Sequence, residues 1–215
     1  MAGKAFMLAA LQELCRAVIE HEEELNRLDN AIGDGDHGTN MARACRKIVA
    51  ALPELGATRE DLGAILHQVG MIFISEVGGS AGPLFGTFFL RAGMASRGKT
   101  SMDPLDWVMS FEAGAVGVSQ LGMSNEGDKT MLDALFPAGR AMQEVLDRGA
   151  PLQEIFAAGV EAAEAGVEYT KTIQASRGRA AYIGERSIGY QDPGATTIML
   201  MLQAMHKVAV EMKAE

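Results

Sequence analysis

Residues 5–28, AFMLAALQELCRAVIEHEEELNRL, repeat apolar side chains at intervals of three and four positions. The residues that share one face at this spacing are Leu8, Leu11, Cys15, Val18 and Ile19. The spacing matches the 3.6-residue turn of an α-helix. Gln12, Glu13 and Arg16 interrupt the apolar run, which argues against a signal peptide. We therefore predict one amphipathic helix over residues 5–28.

The same helical period recurs along most of the chain, and strict alternation of apolar and polar residues is almost absent. Caps, prolines and glycines divide the pattern into eight predicted helices. The second is predicted over about residues 40–52, where Pro53 stops it, and the third over 58–77, where Thr58 and Asp61 form a capping box. The fourth ends near residue 96, and the fifth begins at Asp103 and Pro104. The last three cover about residues 129–147, residues 151–173, and the stretch from Asp192 and Pro193 to the C-terminus. The predicted fold class is all-α, in a single domain of residues 1–215, because no linker or repeat divides the chain.

The composition narrows the range of partners. The net charge of −9 and a pI near 5.0 argue against nucleic acid, which requires a basic face. No window approaches the roughly 18 apolar residues that a transmembrane helix needs. Cys15 and Cys45 lack the spacing of a zinc or redox site and are interpreted as reduced, buried thiols. We expect a cytoplasmic protein with no membrane partner.

The informative glycines gather in four interruptions of the helical pattern. Glycine lets a backbone approach a ligand closely, and each interruption leads into a predicted helix start, where free amides favour anions. Several such starts on one rim would suit a phosphate group. The interruptions are GDGDHG (33–38), VGGSAG (77–82), GMSNEGD (122–128) and SRGRAAYIGERSIGYQDPGA (176–195).

The first interruption lies in LDNAIGDGDHGTN, residues 28–40, which contains three aspartates and one histidine. It fits neither a dinucleotide fingerprint, since no strand precedes it, nor an EF-hand, whose required glycine and glutamate positions hold other residues. Asp29, Asp34 and Asp36 are spaced to converge on Mg²⁺. Alternatively, Asp34 and Asp36 cap the following helix while Asp29 is solvated. His37 is either a surface or capping residue or a donor to phosphate.

Two other features suggest contacts with a nucleotide. Arg177, Arg179 and Arg186 lie in the fourth interruption, where guanidinium groups suit phosphate but also suit surface pairs with acidic neighbours. Met131 follows a predicted helix start, where its thioether can lie against an adenine ring.

Four blocks of the sequence together resemble a known family. They are LDNAIGDGDHGTNM (28–41), VGGSAGPLFGTFF (77–89), GDKTMLDAL (127–135) and GRAAYIGERSIGYQDPGAT (178–196). In this order they are similar to the signature blocks of the L subunit, the nucleotide-binding subunit, of bacterial dihydroxyacetone kinase. The resemblance implies an antiparallel barrel of eight helices with the nucleotide bound at one end.

The resemblance also implies the ligands of the site. Asp29, Asp34 and Asp36 would hold two Mg²⁺ ions that bridge to ADP or ATP. No general base is assigned to this chain. The implied nucleotide contacts are His37, Gly38, Thr39, Asn40, Ser80, Ala81, Gly122, Met131, Arg179, Asp192, Pro193 and Gly194.

The partners follow from the same resemblance. A separate K subunit would hold dihydroxyacetone, and a phosphoenolpyruvate-dependent phosphotransfer protein would rephosphorylate the ADP. An ATP-dependent kinase subunit for dihydroxyacetone or a related ketose is an alternative, as is a regulatory protein that signals to a transcription regulator. The sequence departs from the family pattern at Ser80 and Ala81, which stand in the reverse of the usual order, and at Tyr190, where histidine is usual.

Overall fold

The computed structural model describes residues 2–213 of the chain and confirms the predicted all-α class. Two short strands, β1 (Ala2–Gly3) and β2 (Ser101–Met102), pair antiparallel. Nine α-helices and one 3₁₀-helix make up most of the described chain. They are α1 (Lys4–Glu20), α2 (Glu22–Ile32), α3 (His37–Thr58), α4 (Leu62–Glu76), α5 (Ala81–Ala95), α6 (Pro104–Gly122), α7 (Leu132–Asp147), α8 (Leu152–Thr170), η1 (Arg179–Ser187) and α9 (Pro193–Glu211).

Eight of these helices form a closed ring. Helices α3 to α9 each pack against the next in sequence, and α1 packs against both α3 and α9 to complete the ring. This ring matches the antiparallel barrel of eight helices that the resemblance implied. Helix α2 is not part of the ring and packs against α3, α9 and η1. No helix within residues 2–213 combines the length and apolarity needed to cross a bilayer.

Aromatic and aliphatic side chains fill the inside of the ring. Phe73 of α4 stacks on Phe89 of α5 with ring centroids 5.2 Å apart, and Trp107 of α6 meets Phe6 of α1 edge-on at 5.3 Å. The two cysteines, on α1 and α3, are buried free thiols, as expected from the sequence. Burial of apolar surface from every ring helix is the main force that holds the barrel together.

Helices α4 and α5 approach each other through glycines. A Cβ added at Gly70 would lie 2.8 Å from the Gly86 carbonyl oxygen, and one added at Gly63 would lie 2.4 Å from the Gly93 carbonyl oxygen. Both distances are too short for a side chain. These glycines therefore set how closely the two helices pack.

Local capping signals placed several helix starts correctly. Asp103 and Asp106 form a reciprocal capping box at the start of α6. The Asp192 carboxylate accepts a hydrogen bond of 2.7 Å from the Ala195 amide at the start of α9. Both starts carry proline at the first helical position, as predicted.

Three predicted boundaries were wrong. The helix predicted over residues 5–28 is two helices, because the backbone of His21 leaves the helical region between α1 and α2. Pro53 does not end α3 but lies inside it, since burial of Leu52 and Leu55 on either side favours continuation of the helix. Asp61, whose carboxylate accepts from two backbone amides, caps α4, whereas Thr58 belongs to α3.

Candidate functional site

Four helices begin at one cavity of about 590 Å³. His37 opens α3, Ala81 opens α5, Met131 immediately precedes α7, and Pro193 opens α9, and all four residues line the cavity. The free amides and positive dipole ends of these helices point to one place because alternate helices of an antiparallel ring begin at the same end. The cavity is within the usual size range of ligand pockets.

Three carboxylates meet at the edge of this cavity. Asp29, Asp34 and Asp36 each offer an oxygen atom, and these atoms lie within 4.8 Å of one another. Asp29 is buried, and its Oδ2 accepts hydrogen bonds from the backbone amides of Asp36 (2.9 Å) and His37 (3.2 Å). The Asp36 side chain makes no capping hydrogen bond. The alternative in which Asp34 and Asp36 cap α3 while Asp29 is solvated is therefore wrong, because Asp29 is buried and its carboxylate accepts from the first amides of α3.

Glycine makes this convergence possible. A Cβ at Gly33 would lie 2.2 Å from the Asp29 Oδ1, so a side chain at this position would displace the carboxylate. Gly35 has φ of +79°, which other residues rarely adopt. The turn can therefore fold back and place Asp34 and Asp36 beside Asp29.

The three carboxylates form a suitable set of ligands for Mg²⁺. Like charges this close repel one another and need neutralisation. Among the ion pairs of residues 2–213, their one cationic partner is Arg179, whose Nη1 lies 2.6 Å from the Asp34 Oδ2. Carboxylate oxygens are hard ligands of the kind that Mg²⁺ prefers. Within residues 2–213, no histidine or cysteine joins this cluster to favour a softer metal.

His37 is a neutral imidazole with one ring nitrogen already in a hydrogen bond. Its Nε2 lies 2.9 Å from the Thr197 Oγ1, which itself donates to the Pro193 carbonyl. The Thr197 oxygen therefore accepts from Nε2, and Nδ1 is left without the proton. Burial lowers the pKa of His37 to about 4, against an opposing effect of Asp36. The ring also lies beside Phe85 at 6.2 Å.

Residues 171–190, which make up most of the connection from α8 to α9 and include η1, form a segment that we call the arginine loop. Its residues Arg177 and Arg179 line the cavity, whereas Arg186 does not. Ala175 and Ala180 of this loop pack against Ile32 at the end of α2. The loop therefore lies directly over the turn that carries the three carboxylates.

Lys129 is a cavity residue that sequence reasoning missed. It is almost fully buried, with 1% of its surface exposed, and it lines the cavity beside Thr130 and Met131. The available signal was a lone lysine in the block GDKT, directly before a helix start. Burial lowers its pKa, whereas Asp192 and Asp133 act to raise it.

Asp192 caps α9 and also has a raised pKa. Besides capping α9, its carboxyl group lies in a desolvated position, and this burial raises its pKa to about 7, although the Ala195 amide and Lys129 act in the opposite direction. The neighbouring Tyr190, which replaces the family's usual histidine, has a half-exposed side chain that does not line the cavity.

The structure brings most of the predicted nucleotide contacts together but separates two of them. Gly38 packs against α2, where an added Cβ would lie 2.0 Å from the Glu22 carbonyl oxygen. Thr39 exchanges two 2.9 Å hydrogen bonds with the Asn26 side chain. Neither lines the cavity, and both instead hold α3 against α2. The predicted contacts that do line the cavity are His37, Asn40, Ser80, Ala81, Gly122, Met131, Arg179, Asp192, Pro193 and Gly194.

Comparison with known proteins agrees with this geometry. The family model described as "DAK2 domain" matches residues 31–207. The chain is 41% identical over 198 residues to the PEP-dependent dihydroxyacetone kinase, ADP-binding subunit DhaL, of Escherichia coli (strain K12), covering 92% of this chain and 93% of that one. It is 36% identical to the human triokinase/FMN cyclase, covering 94% of this chain but 35% of the relative.

A solved structure shows the same fold. The crystal structure of the dihydroxyacetone kinase from C. freundii in complex with AMP-PNP and Mg²⁺ matches with a TM-score of 0.75 and 27% identity, covering 94% of this chain. This chain spans 34% of that longer kinase. With the family model, the full-length relatives and the shared fold in agreement, the chain belongs to the DAK2 domain family, together with the ADP-binding L subunits of dihydroxyacetone kinase.

Proposed function

We propose that this chain is the ADP-binding subunit of a phosphoenolpyruvate-dependent dihydroxyacetone kinase, with residues 1–215 forming one nucleotide-binding domain. The observation that carries the proposal is the meeting of three carboxylates and four helix starts at one cavity. The full-length similarity to a subunit of that name supports it. In this role the protein works in the cytoplasm.

Asp29, Asp34 and Asp36 would hold two Mg²⁺ ions. When bound, the metal neutralises charge on the phosphate oxygens during phosphoryl transfer. The protein contributes a rigid arrangement of ligands, because Asp29 is fixed by two backbone amides. Arg179, which is paired with Asp34 in this structure, is close enough to the cluster to donate to a phosphate group instead.

The phosphate groups would be bound by helix starts. The residues before α5 include Gly78 and Gly79, which leave backbone amides accessible at the cavity. The Ser80 hydroxyl makes no capping hydrogen bond, so it can donate to a phosphate oxygen despite the reversed order of Ser80 and Ala81. The starts of α3 and α9 supply further backbone amides.

The adenine ring would lie in the apolar part of the cavity. Met131, Leu84, Val118 and Leu121 line this part, next to Gly122. The Met131 side chain is 5% exposed and is therefore held in place by its neighbours. A thioether and aliphatic carbons provide a suitable surface for a flat aromatic ring.

The proposed reaction needs no general base on this chain. A phosphoryl group would arrive from a phosphoenolpyruvate-dependent phosphotransfer subunit and leave to dihydroxyacetone on a separate K subunit. The chain's tasks are to hold the nucleotide, align it and exclude water. Exposed apolar side chains at the C-terminal end of α6 and in the arginine loop support docking of such partners, and of a transcription regulator. They are Leu121, Met123, Tyr182, Ile188 and Tyr190.

Reconstitution tests the proposal. Purified chain should retain ADP and magnesium through gel filtration. Added to a K subunit and the phosphotransfer proteins, it should produce dihydroxyacetone phosphate with phosphoenolpyruvate as the donor. Absence of product with either phosphoenolpyruvate or ATP would contradict a kinase function and favour the regulatory alternative.

One observation favours a second candidate, an ATP-dependent kinase subunit for dihydroxyacetone or a related ketose. The C. freundii kinase with the same fold was crystallised with AMP-PNP, an ATP analogue, and Mg²⁺. Rapid exchange of bound ADP for ATP, with product formed from ATP alone, would favour this candidate. Slow exchange and dependence on phosphoenolpyruvate would favour the first.

A further inference from the structure

Lys129 connects three backbone carbonyl groups from inside the protein. Its Nζ donates to the carbonyl oxygens of Thr170 (2.5 Å), Tyr190 (2.6 Å) and Ile173 (3.3 Å). An ammonium group has three donors, and here each has a backbone acceptor. The residue also has φ of +60°, an uncommon conformation for a side chain other than glycine. Its backbone and side chain are thus both held in a specific arrangement.

The three carbonyl groups belong to the two ends of the arginine loop. Thr170 is the last residue of α8, Ile173 lies three positions after it, and Tyr190 lies two positions before Asp192, the cap of α9. Two further hydrogen bonds join these ends, from the Gly189 amide to the Lys171 carbonyl (2.8 Å) and from the Asp192 amide to the Thr170 Oγ1 (3.0 Å). The Lys129 ammonium therefore lies at the junction where the loop leaves and rejoins the barrel.

A second contact from the same block holds the loop nearer its tip. The Asp128 carbonyl accepts from the Ser176 amide at 3.2 Å, and the Asp128 carboxylate accepts from the Ser176 hydroxyl. Ser176 directly precedes Arg177. Adjacent residues in the segment before α7 thus hold both the base of the loop and the segment that carries its arginines.

Burial of an ammonium group to hold a loop is energetically unfavourable. Removing the charge from water costs several kcal/mol unless hydrogen bonds and opposite charges compensate, and an apolar residue would avoid this cost. The nearby carboxyl groups of Asp192 and Asp133 act to raise the pKa of Lys129 and so offset part of this cost. Apolar packing, however, would not fix the positions of three carbonyl groups relative to one another.

We propose that Lys129 is a positioning residue whose ammonium ties the two ends of the arginine loop together and so places Arg177 and Arg179 over the nucleotide site. The inference about the ligand rests on the proposed function, whereas the inference about the loop does not. Without the tie, the loop opens, the Arg179–Asp34 ion pair weakens, and the arginines no longer reach the phosphate groups.

The test compares Lys129→Met with Lys47→Met, a control at an exposed lysine on α3. Hydrogen exchange of the nucleotide-free proteins should show faster exchange at the Gly189 and Asp192 amides in Lys129→Met, with the amides of α1 unchanged. ADP affinity in the presence of Mg²⁺ should fall by at least about tenfold. Affinity for Mn²⁺ alone, measured by electron paramagnetic resonance, should be unchanged or higher, because Asp34 loses its competing arginine. The control should match the wild type.

Weaker ADP binding with unchanged or stronger Mn²⁺ binding distinguishes a positioning role from a general structural defect, which would weaken the binding of ADP and of Mn²⁺. Equal ADP affinity in the Lys129→Met and wild-type proteins, or faster exchange spread over all helices, would overturn the inference. If the wild type binds no ADP, the proposed function fails, and hydrogen exchange still decides whether Lys129 ties the loop.

If Lys129→Met does not fold, amine labelling of the wild type gives the answer. Mg²⁺ and ADP should slow labelling of Lys129 by at least about tenfold while labelling of Lys47 stays constant, because a bound nucleotide holds the loop closed. Equal labelling of Lys129 with and without nucleotide would overturn the inference.

Discussion

Asp29 makes structural contacts that the other two carboxylates of the cluster lack. It is buried and accepts two backbone hydrogen bonds at the start of α3. Asp34 and Asp36 are exposed at the edge of the cavity, and Asp34 is held by a partly exposed ion pair. The three residues therefore share the proposed role in metal binding but differ in their contribution to folding.

Substitution of the three aspartates should separate these roles. Asp34→Ala and Asp36→Ala should each lose bound ADP after gel filtration, while the free energy of unfolding of the metal-free protein changes by less than about 1 kcal/mol. Asp29→Ala should lose ADP and also destabilise the protein by about 1–2 kcal/mol, because α3 loses its cap. ADP content is assayed in the protein fraction after gel filtration, and urea denaturation followed by far-ultraviolet circular dichroism measures the free energy of unfolding. Unchanged ADP content in Asp34→Ala and Asp36→Ala would contradict the metal assignment.

Asp192 should make stability depend on pH. Its pKa is about 7 in the folded protein and near 3.8 in the unfolded chain, so between these values the native state binds more protons. Its contribution to stability therefore falls as the pH rises from about 4 to about 7. Asp192→Asn retains a capping oxygen without the charge. Between pH 5 and pH 8, the free energy of unfolding of the variant should rise by about 1–3 kcal/mol relative to that of the wild type, measured without nucleotide. A difference that does not vary with pH would contradict the raised pKa.

At the scale of single residues, the sequence revealed the carboxylates but not the lysine. Three aspartates in a glycine-rich turn form a local pattern, so their convergence could be predicted. Lys129 acts through carbonyl groups 41, 44 and 61 positions away along the chain. The local sequence pattern therefore predicts neither the burial of Lys129 nor its hydrogen-bond partners.

Helix ends that depend on local chemistry could be predicted, and those that depend on packing could not. Asp103 and Asp192 cap helices with their own side chains, and a proline follows each in the sequence. The continuation of α3 through Pro53 depends on buried leucines of the assembled barrel. In the same way, η1 packs against α2, and Lys129 holds the following segment at Tyr190, through contacts between positions that are distant in the sequence.

The contact between α4 and α5 should tolerate no side chain at its glycines. Gly70→Ala should destabilise the protein by about 1–3 kcal/mol, because the added Cβ would meet the Gly86 carbonyl oxygen. Gly139→Ala on α7 is the matched control, since its Cβ would have neighbours no closer than 3.8 Å. The control should be neutral or stabilise by up to about 1 kcal/mol. Equal effects of the two substitutions in thermal denaturation would contradict the close approach.

At the scale of the whole molecule, the ring determines where function is located. Alternate helices of an antiparallel barrel begin at the same end, so α3, α5, α7 and α9 present their starts to one cavity. The sequence showed four glycine-rich interruptions before helix starts, which predicted the type of site. Which helices are neighbours, and the position of α2 outside the ring, depend on long-range packing and did not follow from the helical period.

The central claim is that the carboxylate cluster and the helix starts bind one magnesium–nucleotide complex. Isothermal titration of ADP into nucleotide-free protein, with Mg²⁺ and then with EDTA, tests it most directly. The structure predicts tight binding of one ADP per chain with Mg²⁺, and a loss of affinity of at least about a hundredfold in EDTA. Equal affinity under the two conditions, or no binding in either, would contradict the claim.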